Sequence, residues 1–97
     1  MDERSKRAKR YYEPVRGVLL REWEPIGIVE EFHAQDEYDR YVYKIVGMVI
    51  RHEPRERLVD HLWRIETEIM GLTGVRSRTE KIADRLVGVR DEIEAGD

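Results

Sequence analysis

DEYDRYVYKIVGMVIRHEPRERL, Asp36 to Leu58, contains a helix, its start and its stop. Asp36 is placed to cap a first turn, where Glu37 and Asp39 complement the positive end of the helix dipole. Tyr38, Tyr41, Val42, Ile45, Met48 and Val49 then recur at helical spacing. Val46 and Ile50 widen this stripe until mainly Arg40, Lys44, Gly47 and Arg51 stay outside it. The pattern predicts a helix from Asp36 to about His52, apolar enough to sit centrally, with His52 on its apolar side as a core or boundary residue. Pro54 ends that helix and opens the next, because proline suits a first helical position.

Working outward, Leu58, Leu62, Ile65 and Ile69 give the third helix its stripe before Gly71 stops it. Ser77 and Glu80 form an S-x-x-E capping box for a fourth helix carrying Ile82, Leu86, Val89 and Ile93. On the other side, Pro14 opens the first helix, with Val15, Val18, Leu19 and Trp23 as its stripe. Glu24 precedes a proline and is driven out of the α region, so Glu24 to Gly27 reads as a type I turn. No sustained alternation or hairpin dipeptide signals a strand. The expected fold is therefore all-α: a single four-helix domain over residues 13–94 behind a short basic N-terminal extension, residues 1–12. Gly17, Gly47 and Gly88 fall inside helices and are expected to mark close helix contacts.

Composition narrows the function classes. A chain of 97 residues supports one core, and 40% hydrophobic with 40% charged residues describes a soluble domain. The longest apolar run, Ile45 to Ile50, is far shorter than the ~20 residues a bilayer span needs, so no membrane role is expected. The opening MDERSKRAKR lacks the apolar run of a secretory signal, which points to the cytoplasm. Absence of cysteine removes disulfides and thiolate chemistry.

The formal net charge of -3 hides an asymmetry: seven acids and no lysine or arginine lie between Glu22 and Asp39. Such a segment attracts a basic partner and repels nucleic acid. Glu30, Glu31, Asp36, Glu37 and Asp39 are its candidate binding residues. Trp63, which groups with Val59 and Met70 beside the main stripe of helix three, is either packed under another helix or part of a partner surface. Glu66 falls among apolar neighbours, so it must be paired, hydrogen-bonded or protonated, with an arginine or a tyrosine hydroxyl as its expected partner. Glu22 is similarly placed near the end of helix one.

Catalytic signals are weak. Glu30 and His33 make one E-x-x-H, without the second copy a di-iron bundle needs. His52 and His61 lack i, i+4 metal spacing, and no nucleophile elbow or glycine-rich phosphate loop is present. Neither a metal nor a cofactor is expected. Arg76, Arg78, Lys81, Arg85 and Arg90 make helix four and its approach the most basic element of the expected domain, but Asp84, Asp91, Glu92 and Glu94 interleave with them and favour a solvated mixed-charge face.

LLREWEPIGI, DEYDRY and IETEIMGL together resemble a family of small bacterial all-helical proteins of unknown function, with the pattern L-L-x-E-W-D-P-I-G, then D-E-Y, then I-E-x-E-x-M-G-L. The resemblance covers about residues 13–90, with Glu24 in place of an aspartate. It implies a helical fold and no activity. The reading is a protein-binding module of inhibitor or immunity type that meets a basic surface, with self-association left open. The alternatives are a ligand-binding protein or enzyme built on Glu22 and Glu66, and a nucleic-acid binder through helix four.

Overall fold

The computed structural model describes the backbone of residues 3–23, 35–69, 71 and 73–96, and the side chains of residues 8–23, 39–68, 71 and 73–96. Helices α1 (Glu3–Trp23), α2 (Gln35–Ile50), α3 (Arg55–Arg64) and α4 (Arg76–Ala95) build the domain, and α3 continues into a π-helical turn, Ile65–Ile69. α1 packs against both α2 and α4, α3 lies on α4, and α2 touches α4 more lightly. The centre is therefore α1 with α4; α2, expected there from its apolar breadth, packs chiefly on α1.

The core takes the expected stripes. Val15, Val18, Leu19 and Trp23 from α1, Val42, Ile45, Met48 and Val49 from α2, Leu58, Leu62 and Ile65 from α3 and its π turn, and Ile82 and Leu86 from α4 are all buried. Trp23 is the largest of the fully buried side chains.

All four local starts differ from expectation. α1 does not begin at Pro14 but runs through it to Glu3, so the basic extension is helix continuous with the domain. A proline inside a helix removes one backbone bond and costs roughly 3 kcal/mol, so long-range contacts must offset it. Tyr11 supplies one of them: it is 2% exposed, and its hydroxyl donates to Glu94 Oε2 at 2.7 Å. Arg10 Nη2 donates to the Ile93 carbonyl at 3.4 Å, and the Tyr12 hydroxyl to Asp39 Oδ1 at 3.2 Å. At α4 the capping box is unused, because Val75 occupies the cap position and Ser77 lies inside the first turn. Asp36 likewise falls inside α2, which starts at Gln35. Pro54 sits one residue before α3, at its cap. The turn expected at Glu24–Gly27 and the Glu30–His33 pair lie outside the described residues.

Gly71 stands where the sequence places the end of helix three, whereas the glycines inside helices differ from expectation. Gly71 ends the π turn at φ +70°, a conformation that favours glycine, and at Gly74 a Cβ would lie 2.7 Å from Trp63 Cη2 and 2.8 Å from Thr67 Cγ2. By contrast, a Cβ at Gly17 or Gly47 would meet only the tip of an arginine side chain, and one at Gly88 nothing within 4 Å. The close helix contacts expected at these three glycines are not there. Gly88→Ala should therefore stabilise the domain by about 0.5–1 kcal/mol. Gly74→Ala should destabilise it by about 1–3 kcal/mol through overpacking. Urea midpoints of the two variants moving in the same direction would contradict this pairing.

Candidate functional site

The most unusual side chain is Glu66, which the π turn places 2% exposed among α1, α3 and α4. A π turn is wider than an α turn, so it re-aims side chains and is frequent at functional sites. Thr67 Oγ1 donates back to the Trp63 carbonyl at 2.8 Å within this turn. Glu66 Oε1 accepts from the Thr79 hydroxyl of α4 at 3.0 Å, and Oε2 lies 3.4 Å from the Trp23 indole N–H of α1. Thr79, 0% exposed, is a residue the sequence did not single out.

Among the described residues no cation pairs with Glu66; its partners are a hydroxyl and an indole, not the expected arginine or tyrosine. Burial pushes its carboxyl above the usual range, against the opposing pull of Thr79, Trp23 and the Arg78 charge. The arginine pairing occurs instead at Glu22, whose Oε1 meets Arg85 Nε at 2.8 Å. Glu22 and Glu66 are thus satisfied by different residues and do not converge on one point.

Of the acidic segment, Glu30 and Glu31 lie outside the described residues. Asp36 and Glu37 stand in the first turn of α2 with side chains that are not described. Asp39 is half-buried and engaged: besides the Tyr12 bond, it lies 3.7 Å from Arg16 Nε. Trp63 is half-buried beneath the approach to α4, with Gly74 against its ring and the Arg76 guanidinium 5.4 Å from the ring centroid. Arg76 also pairs with Asp60 at 2.9 Å. Trp63 is thus in contact with Gly74 and Arg76 while part of its surface stays open to solvent.

The histidines fall differently from expectation. His52 is not a core residue: it sits exposed just past α2 at φ 55°, and its Nε2 lies 2.8 Å from Glu94 Oε2. Glu94 therefore joins Tyr11 of α1, the α2–α3 turn and α4. These bonds, Tyr11 first, hold its carboxyl below the usual range. His61 has a buried Nε2 without a hydrogen-bond partner among the described residues, and burial pushes its imidazole down. His33 is outside the described residues, and among those described no cluster of ligands fits a metal ion.

α4 is balanced rather than basic, with five Lys or Arg against five Asp or Glu, and Arg76, Arg85 and Arg90 are ion-paired. The basic element is α1, with seven Lys or Arg against three Glu. Beside α1, an open groove of about 560 Å³ runs against α2, lined by Ala8, Lys9, Tyr12, Glu13 and Tyr43. The rings of Tyr12 and Tyr43 are 4.7 Å apart between centroids, tilted by 33°.

No described helix is long and apolar enough to cross a membrane. No family model, no curated protein and no solved structure matches the chain.

Proposed function

We propose that the chain is a cytoplasmic protein-binding module whose acidic segment between α1 and α2 docks on a basic surface of another protein. The observation that carries this reading is the charge run itself: seven acids and no lysine or arginine between Glu22 and Asp39. The two ends of the run are tied to the scaffold, Glu22 by Arg85 and Asp39 by Arg16 and Tyr12. Glu24, Glu30, Glu31, Asp36 and Glu37 lie between these anchors in the sequence, and the reading assigns their charge to the partner. Electrostatic complementarity of this kind acts mainly on the association rate and on partner choice, both sensitive to salt.

The carboxylate-centred alternative is weaker, since Glu22 is already neutralised by an arginine and Glu66 is enclosed. The helix-four nucleic-acid alternative is weaker because α4 carries as many acids as bases. The test is affinity capture from host extract at low and high salt, comparing the wild type with a variant carrying Glu30→Lys, Glu31→Lys and Glu37→Lys. The expected result is a basic protein retained only by the wild type and released by salt. Equal retention by the triple variant, with helicity unchanged, would eliminate the acidic segment as the binding surface.

A further inference from the structure

We propose that the groove between α1 and α2 binds a nucleotide, with its base against Tyr43 and its phosphate held by Lys9 and Arg40. Tyr43 is 60% exposed, although its ring meets Tyr12. Tyr12 is fixed in turn, because its hydroxyl donates to Asp39, which lies beside Arg16. The result is an aromatic platform braced on one side and open on the other. Planar bases stack on such platforms whatever their sequence, and the phosphate is met by neighbouring cations.

One cation lines the groove and a second stands exposed outside its lining. Lys9 lines the groove from the basic helix, and Arg40 stands one helical turn before Tyr43 on the exposed side of α2. The groove volume of about 560 Å³ lies within the range of small-ligand sites, roughly 300–1,000 Å³. Glu13 in the wall refines the choice. A carboxylate there opposes a purely anionic ligand such as an acidic peptide, but accepts a hydrogen bond from an exocyclic amine, as on adenine or cytosine. A ligand with an anionic end, a flat middle and an amine edge matches all of these groups. The described lining residues, on α1 and at Tyr43 of α2, are not those on which the acidic-segment reading rests.

A base is available free or within a single strand, and one titration separates these sources. The isotope-labelled full chain is titrated at low salt with AMP, UMP, inorganic phosphate and a six-residue oligoadenylate, following backbone amides. The expected result is saturable shifts at residues 8–16 and 39–47, with AMP bound more tightly than UMP or phosphate. Tyr43→Ala should weaken AMP binding about tenfold, the loss typical of one stacked base, without changing helicity. Lys9→Glu combined with Arg40→Glu should weaken it further and flatten its salt dependence. Oligoadenylate binding well above AMP assigns the site to a strand, and equal binding to the free nucleotide. Absence of saturable shifts with both AMP and the oligonucleotide overturns the proposal. So does phosphate binding as well as AMP, or a Tyr43→Ala variant that binds like the wild type.

Discussion

Trp23→Ala should remove about 3–5 kcal/mol of stability, the range for deleting a fully buried aromatic side chain. A domain of this size has only ~5–15 kcal/mol in total, so the variant should be largely unfolded at modest urea concentrations. Trp23 is 0% exposed at the last position of α1, where the acidic connection begins. Its loss opens a cavity between the helices and takes the indole N–H from Glu66 Oε2, 3.4 Å away. Trp23→Phe separates these effects, since most of the ring volume stays and only the donor and part of the ring go. It should cost less than the alanine variant, by more than the scatter of the denaturation curves. Trp63 remains as a fluorescent reporter in both variants. Equal losses for alanine and phenylalanine would mean that packing volume at this position counts for little.

The helices themselves were legible because their signals are local. Apolar residues at helical spacing select a buried face whatever they pack against, and Val15, Val18, Leu19, Trp23, Leu58, Leu62, Ile82 and Leu86 all obeyed that rule. The helix ends were not, because distant contacts decide them. Pro14 is a good start signal, yet Tyr11 and Arg10 gain partners on α4 that are 83 residues away in the chain, and the helix runs through the proline. Ser77 and Glu80 are a good start signal too. Thr79 must face Glu66, however, and Arg76 must lie over Trp63 beside Asp60, so α4 starts earlier and the box is bypassed.

The candidate site was legible to the same depth. An angular argument found Glu66 among apolar neighbours, and it is buried. Its partners were hidden, because a π turn breaks the 3.6-residue periodicity on which a helical wheel depends. The arginine that sequence logic reserved for Glu66 serves Glu22. The Tyr12–Tyr43 pair escaped notice for a different reason: Tyr12 fell in a segment read as a tail, and nothing local joins it to a tyrosine 31 residues later.

Glu66→Ala should cost about 2–4 kcal/mol, combining a small cavity with an unsatisfied Trp23 N–H in a buried place. Glu66→Gln should behave very differently. The amide oxygen accepts from Trp23, the amide NH₂ donates to Thr79 Oγ1, and the Thr79 hydroxyl turns to the Val75 carbonyl, 3.4 Å away. Every bond is then satisfied without a buried charge. Burial raises the Glu66 pKa in the fold, so its favourable contribution is fully present below the unfolded carboxyl value and is lost as pH rises through the folded one. Glu53, Asp84 and Glu94 work in the opposite sense: hydrogen bonds from Arg51, Arg55 and Tyr11 respectively hold them low, and their contribution is lost as pH falls. His61, pushed down by burial, adds to that acid-side loss. The wild-type profile alone is therefore a composite, and the difference between wild type and Glu66→Gln isolates the one carboxyl. That difference should favour the glutamine variant increasingly as pH rises from the ordinary carboxyl range toward neutrality, with the variant at least as stable as the wild type at neutral pH. Urea denaturation at four or five pH values measures it. A constant difference across that range, or a glutamine variant as unstable as the alanine one, would mean that Glu66 is ionised in the fold as freely as in water, and that its charge is what Trp23 and Thr79 require.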